Sequence, residues 1–174
     1  MDTAKPTIIV TGVSGNLGQR LLPQLPQATV VGIDVMPPAA HVDRFVPLDL
    51  GRDESTRELL LLLRELQPAS VVHLAFIIDP QRSGVLDVER MWQINVAGTA
   101  RVMEAITEHN RNSATPIHQF IFPSSVSAYG SDMPDPVTED APLQAHTLPY
   151  AIHKKESDLA DPQGKHQEGG DWAA

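Results

Sequence analysis

The stretch "IIVTGVSGNLGQRL", from Ile8 to Leu21, decides the fold. A short apolar run leads directly into three glycines with the spacing GxxGxxG and then into a helical pattern. Gly12 permits a tight turn, Gly15 lets backbone amides approach an anion, and Gly18 lets the helix pack close to the strand. Because the N-terminus of such a helix attracts anions, the stretch predicts a cradle for a dinucleotide pyrophosphate.

The rest of the chain alternates short apolar, β-branched runs with helical patterns. The runs predict strands from Thr7 to Val10, Thr29 to Ile33, Arg44 to Leu48, Ser70 to Phe76 and His118 to Phe122. Helices are predicted from Asn16 to before Pro26 (short, or kinked at Pro23), from about Asp53 to Leu66, and roughly from Leu86 to Glu108. Near-continuous apolarity is typical of strands covered on both faces. The pattern therefore predicts an α/β fold, a Rossmann-type doubly wound parallel sheet of about five strands.

An acidic residue closes the second predicted strand. Asp34 stands where a carboxylate would hold the ribose diol of the adenosine. Such a carboxylate repels a 2′-phosphate, and no Arg follows in "DVMPP". The position therefore favours NAD over NADP as the cofactor.

Composition excludes several other classes of function. The chain has 174 residues, a net charge of -9 and no cysteine. The acidic balance argues against a nucleic-acid or anionic-membrane surface, and the missing cysteines exclude disulfides and thiolate catalysis. No apolar run is long enough for a membrane span, so we expect a cytoplasmic protein. The histidines have no metal-ligand spacing, and we predict no metal site.

Tyr150 and Lys154 indicate acid/base chemistry, because they lie one helical turn apart on the same face. An ammonium held near a phenol favours the phenolate, which can take a proton from a substrate alcohol while hydride leaves the adjacent carbon. Ser125 follows the fifth predicted strand, where strand ends meet the ligand crevice, and its hydroxyl could hold the substrate oxygen. YxxxK by itself also fits a solvated helix face.

Taken together, these pieces resemble the extended branch of the short-chain dehydrogenase/reductase superfamily, the NAD-dependent epimerase/dehydratase family that includes UDP-sugar 4-epimerases. The resemblance covers Thr7 to about Glu156. It rests, in order, on "TGVSGNLG", "GID", "LDL", "VVHLAF", "INVAGT", "FPSSVSAYG", "VTEDAPL" and "YAIHK". It implies a Rossmann domain with bound NAD and hydride transfer at a hydroxyl-bearing carbon, often of a nucleotide sugar, and by analogy a homodimer.

The resemblance also implies roles for individual residues. Ser125, Tyr150 and Lys154 would be catalytic, and Lys154 would also bond the nicotinamide ribose. Asp49 would accept from the adenine amino group, and Asn95 would support the cofactor side of the site. The implied cofactor-binding residues are Gly12, Gly15, Asn16, Leu17, Gly18, Asp34, Asp49, Leu50, Leu74, Ala75, Phe76, Asn95, Tyr150 and Lys154.

Phe76 and Ile78 depart from the family pattern, in which many members carry a small residue at the first position and a polar or basic one at the second. These departures point away from a UDP-galactose-type substrate. Elsewhere, His73 in an apolar strand predicts a buried histidine with hydrogen-bond partners, and Trp92 with Met91 predicts core.

At the C-terminal end we expect the usual substrate lobe to be missing. Family members continue past the Tyr-Lys helix with a sixth strand and that lobe, whereas "SDLADPQGKHQEGGDWAA" holds few large apolar residues. We expect a C-terminally truncated member with a Rossmann domain at 1–160 and a flexible polar tail at 161–174. Such a chain would bind NAD but turn over little substrate. A dinucleotide sensor or a fragment without function are the alternatives, and the sequence leaves open epimerisation, dehydration or oxidation.

Overall fold

Five parallel strands form one sheet in the order β3-β2-β1-β4-β5. A computed structural model of the protein describes residues 5–133 and 135–160. The strands are β1 (Thr7–Thr11), β2 (Thr29–Asp34), β3 (Arg44–Pro47), β4 (Ser70–His73) and β5 (Gln119–Ile121). The strand order changes direction between β1 and β4, as in a doubly wound fold. The predicted Rossmann-type sheet of about five strands is confirmed.

Helices and short helical turns connect the strands. The α-helices are α1 (Asn16–Leu21), α2 (Ser55–Leu66), α3 (Pro80–Ser83), α4 (Val88–Trp92), α5 (Gly98–Asn112) and α6 (Pro149–Leu159). A π turn, Gln93–Ala97, joins α4 to α5, and 3₁₀ turns lie at Leu22–Gln24 and Val126–Tyr129. As Pro23 predicts, α1 is short and ends before it.

Side chains from alternate residues of the strands pack into two separate hydrophobic cores, one on each face of the sheet. On one face, Ile9 and Val71 pack with side chains of α2 and α5, among them Leu63 and Ile106. On the other face, Val10 packs with the segment that follows β1. Because successive strand side chains point to opposite faces, this arrangement requires both faces to be apolar. The continuous apolar runs of the sequence meet that requirement.

The third helix, predicted roughly from Leu86 to Glu108, is present but is not one regular α-helix. It begins at Val88, with the Asp87 side chain as its cap, and the π turn interrupts it before α5. A π turn holds one extra residue, which rotates the preceding helix by about 100° relative to the following one. Side chains before the turn therefore face a different direction from the one that an uninterrupted helix would give them. Val88 is 62% exposed and Trp92 37% exposed, although Met91 is buried as predicted.

Two glycines are needed because backbones touch at the end of β1. Gly12 has φ +68°, and a Cβ there would lie 2.5 Å from the backbone nitrogen of Ala75. A Cβ on Gly18 would lie 2.6 Å from the carbonyl oxygens of Gly12 and Val13. The same contact explains why β4 ends at His73 and not at the predicted Phe76. β1 turns away at Gly12, so β4 loses the neighbour with which it pairs.

The predicted flexible tail at 161–174 lies outside the described residues. Within the described part of the chain, β5 lies at the sheet edge and pairs with β4 alone. In the same ranges, no helix has both the length and the apolar character that crossing a membrane requires.

Substituting Gly12 tests the backbone contact. We expect Gly12→Ala to lower the free energy of unfolding by more than about 3 kcal/mol, because Ala combines a strained φ with a backbone clash. Gly84 is a matched control, since its φ is +75° but nothing lies within 4 Å of an added Cβ. Gly84→Ala should cost only about 1 kcal/mol. Urea unfolding followed by circular dichroism measures both, and equal losses would contradict the clash.

Candidate functional site

The glycine turn leaves the first amides of α1 open to a ligand. Gly15 caps the helix without a side-chain hydrogen bond. Its own N–H donates to the Gly12 carbonyl at 3.1 Å, which closes the turn. Gly15, Asn16 and Leu17 are all exposed, whereas Gly18 is buried against the turn. Unpaired amides at an exposed helix N-terminus are suited to bind an anion.

Asp34 lies directly against this turn. Its Oδ2 accepts from the backbone N–H of Ser14 at 3.0 Å and from the Ser14 hydroxyl at 2.6 Å. Its Oδ1 accepts from the Val35 N–H at 2.7 Å. The acid at the end of β2 is thus fixed beside the glycine turn. Ser14 was missed by the sequence reasoning, although a polar residue between the glycines was the available signal.

Asp49 forms a second acidic position along the same edge of the sheet. Its Oδ1 accepts from the Gly51 N–H at 2.9 Å, and its Oδ2 pairs with the guanidinium of Arg90. Arg90 also donates to the Gly51 carbonyl at 3.1 Å and so holds this loop against α4. Leu50 is buried in the core. Nothing in the local sequence pattern marked Arg90, which lies 41 residues from Asp49.

The loop that follows β4 is held at two points. The Ala75 N–H donates to the Thr11 hydroxyl oxygen at 3.2 Å. The Ile77 N–H donates to Asn95 Oδ1 at 2.6 Å, and Asn95 Nδ2 donates back to the Ile77 carbonyl at 3.0 Å. The side chain of Asn95 is fully buried, so it supports this loop and does not point into solvent. Phe76 lies between the two anchors.

His73 links these anchors through a buried chain of hydrogen bonds. Its Nδ1 lies 2.7 Å from Thr11 Oγ1, and its Nε2 lies 3.0 Å from Thr99 Oγ1. The Thr99 hydroxyl donates to the Asn95 carbonyl at 2.6 Å, so it can only accept from His73. The proton therefore sits on Nε2, and the Thr11 hydroxyl donates to Nδ1. The prediction of a buried histidine with hydrogen-bond partners is confirmed.

Burial keeps this histidine neutral. Desolvation, aided by the positive charge of Lys154, lowers the pKa of His73 to about 3. Desolvation also lowers the pKa of His153, whose Nδ1 lies 3.1 Å from Asn95 Nδ2. Both rings therefore favour the neutral form at physiological pH, which the hydrogen-bond pattern requires.

Lys154 is buried among aromatic rings, with a relative exposure of 5%. Its ammonium donates to the Pro123 carbonyl at 2.6 Å. It lies 3.8 Å from the ring centroid of Phe76 and 4.2 Å from that of Phe122. Burial lowers the pKa of Lys154 to about 8, with Asp158 acting in the opposite direction.

The ring of Tyr150 packs against that of Phe76. The two ring centroids lie 5.8 Å apart, and the ring planes are nearly perpendicular. Ser125 caps the 3₁₀ turn after β5, and its hydroxyl lies 2.7 Å from that of Ser127. The neighbouring Ser124 donates instead to Asp158. Within the described residues, no hydrogen bond joins Ser125, Tyr150 and Lys154 to one another. In the same ranges, no group of three His, Cys, Asp or Glu residues could hold a metal ion.

Most of the predicted site residues thus lie at one edge of the sheet. The glycine turn follows β1, Asp34 ends β2, Phe76 follows β4 and Ser125 follows β5. α6 reaches this edge because it packs against the π turn and the 3₁₀ turn after Ser125. The carboxyl edge of a parallel sheet, where its strand order reverses, is where such folds bind ligands.

Comparison with known proteins agrees with this geometry. Residues 8–160 match the model of the NAD dependent epimerase/dehydratase family. An uncharacterized epimerase/dehydratase of Staphylococcus aureus is 23% identical over 159 residues, which is 87% of this chain and 46% of that protein. The chain therefore spans about half the length of the curated relatives it matches.

Solved structures share the fold. WbmH of Bordetella bronchiseptica, crystallised with NAD+, superposes with a TM-score of 0.75 at 24% identity, over 91% of this chain and 53% of that one. The UDP-Glc/GlcNAc 4-epimerase of Campylobacter jejuni gives a TM-score of 0.70 at 21% identity, over 92% and 51% of the two chains.

Removing the buried charge should stabilise the protein at neutral pH. The pKa of Lys154 falls from 10.5 to about 8 on folding. Below pH 8 both states hold the proton, and burial of the charge costs about 3 kcal/mol. Between pH 8 and 10.5 the folded state has lost the proton that the unfolded state keeps. The free energy of unfolding therefore rises as the pH increases through this range.

We therefore expect Lys154→Met to raise the free energy of unfolding at pH 7 by up to about 3 kcal/mol. The gain over wild type should shrink towards pH 10. Urea unfolding of both proteins at pH 7 and pH 10 measures it, with Lys155→Met as the control on the same helix. A difference between variant and wild type that does not change with pH would contradict the burial cost.

Proposed function

Because the chain belongs to the NAD dependent epimerase/dehydratase family, we propose that it binds NAD and carries the acid/base residues for hydride transfer at a hydroxyl-bearing carbon. One observation carries the proposal. The glycine turn, Asp34 and the Tyr150–Lys154 helix meet at the carboxyl edge of one parallel sheet. This edge therefore combines a place for a dinucleotide with a place for proton transfer.

The residues present fit the adenosine and pyrophosphate of NAD. The open amides after Gly15 would bind the pyrophosphate. Although Asp34 already accepts three hydrogen bonds, its carboxylate offers about four lone-pair sites, so it can also accept from a ribose diol. Its negative charge disfavours a 2′-phosphate. Asp49, held in place by Arg90, would accept from the adenine amino group.

Tyr150 would act as the general acid/base. Its hydroxyl has no hydrogen-bond partner among the described residues, so it is available to a substrate hydroxyl. With a pKa of about 8, Lys154 keeps most of its charge at pH 7 and places an ammonium one helical turn from Tyr150. Ser125 would hold the substrate oxygen. When bound, NAD supplies the acceptor for the hydride that leaves the adjacent carbon.

The substrate class is a nucleotide sugar or a similar alcohol. Support comes from the family match and from the fold shared with the 4-epimerase of Campylobacter jejuni. We propose that the chain by itself turns over little substrate. The described residues provide the cofactor side of the site, and turnover also needs contacts that orient the substrate in the transition state. A homodimer and a cytoplasmic location complete the proposal.

Cofactor titration with an Asp34 variant tests the binding half. We expect wild type to bind NAD more tightly than NADP in isothermal titration calorimetry. Asp34→Ala should weaken NAD binding about tenfold or more, because a charged hydrogen-bond acceptor for the diol is lost. NADP binding should stay the same or improve, because the repulsion of its phosphate is removed.

Asp132→Ala serves as the matched control, since it removes an exposed carboxylate from a loop. It should leave both affinities unchanged. The proposal fails if folded wild-type protein gives no heat with millimolar NAD. A wild-type preference for NADP would overturn the role of Asp34.

A further inference from the structure

We propose that Phe76 is a positioning residue for the Tyr150–Lys154 pair and that, with Phe122, it forms an aromatic clamp that holds the Lys154 ammonium at the Pro123 carbonyl. This role rests on the proposed function, because it matters for chemistry only if Lys154 assists Tyr150. The clamp itself is a property of the ligand-free protein. It can therefore be tested without cofactor or substrate.

A buried ammonium has lost the water that stabilises its charge, and the aromatic clamp provides other contacts for that charge. Lys154 is 5% exposed, and Asp158, whose charge favours the ammonium, accepts a hydrogen bond from Ser124. The Pro123 carbonyl accepts one of its three N–H groups. The faces of the two rings, 3.8 and 4.2 Å away, attract the charge through their quadrupoles. The rings thus replace part of the lost hydration.

Phe76 also connects the charge to the phenol. Its face contacts the Lys154 ammonium, and its ring meets that of Tyr150 at an interplanar angle of 89°. Tyr150 and Lys154 project from the same face of α6, and Phe76 packs across both. A change at Phe76 therefore alters the surroundings of both groups.

The buried hydrogen bonds fix the position of this ring. The backbone amide before Phe76 donates to Thr11, and the amide after it donates to Asn95. Phe122 stacks on His73, with the ring centroids 5.7 Å apart, and contacts Phe76, with the ring centroids 6.1 Å apart. The clamp is therefore built on the rigid part of the fold, as accurate positioning requires.

Other charged or titratable groups also face Lys154. Asp158 on α6 favours its charged form, and His73 on β4 is neutral. Tyr150 lies one turn away on α6. Substituting Phe76 leaves all three groups in place. A change in the titration of Lys154 would then report the loss of the ring face.

NMR titration of lysine labelled with ¹³C at Cε measures this effect on ligand-free protein. The chain has four lysines, Lys5, Lys154, Lys155 and Lys165, and the spectrum of Lys154→Met assigns the signal. We expect Phe76→Leu to lower the pKa of Lys154 by about one unit, because Leu keeps the apolar surroundings but has no ring face. Phe76→Tyr keeps the ring and should restore the wild-type value.

Phe45→Leu is the control, since it removes a ring on β3 that packs against the core around Val10 and not against Lys154. It should leave the titration of Lys154 unchanged. If Phe76→Leu fails to fold, Phe122→Leu carries the same measurement with the same expected direction. An unchanged or raised pKa in a folded Leu variant would overturn the clamp.

Calorimetry with NAD on the same samples separates the two proposals. Normal NAD binding with an unchanged Lys154 titration in Phe76→Leu rejects the clamp alone. A lowered pKa of Lys154 in Phe76→Leu, together with wild-type protein that does not bind NAD, rejects the cofactor proposal and leaves the clamp standing.

Discussion

The chain of buried hydrogen bonds through His73 is the constraint on which the site depends. It runs from the Ala75 amide through Thr11, His73 and Thr99 to the Asn95 carbonyl, and each donor meets one acceptor. It thereby joins β1, β4, α5 and the π turn in the interior, where an unpaired polar group costs about 1–3 kcal/mol. A second proton on His73 would deprive the Thr11 hydroxyl proton of its acceptor, which agrees with the strongly lowered pKa of His73.

The hydrogen-bond network ends at the carbonyl of Asn95, which lies in the π turn. The Asn95 carbonyl accepts from the hydroxyls of Thr99 and Ser157. The Asn95 side chain bonds both polar groups of the Ile77 backbone. One irregular turn therefore attaches α6 and the loop after β4 to the same residue. Such turns are frequent at functional sites.

Much of the fold could be predicted from the sequence, because its signals are local. Apolar β-branched runs mark the strands, and the glycine spacing marks the turn after β1. The end of β4 at His73 could not be predicted, since it is set by Gly12, far away in the chain. The apolar pattern predicts Trp92 in the core, because the π turn leaves no mark in that pattern. The partners of the site residues, Ser14 for Asp34 and Arg90 for Asp49, join segments that only the folded chain brings together.

At Lys154 the stability of the fold and the proposed chemistry have opposite requirements. Stability favours an apolar side chain at this buried position, whereas the proposed chemistry needs a charge. In the proposed mechanism, natural selection for activity keeps an ammonium where an apolar side chain would fit the surroundings better. A laboratory screen for heat resistance at neutral pH has the opposite preference and would drift towards apolar residues at this position. Sequences related to this one but freed from catalysis should therefore lose this lysine sooner than they lose Gly12, which the fold itself requires.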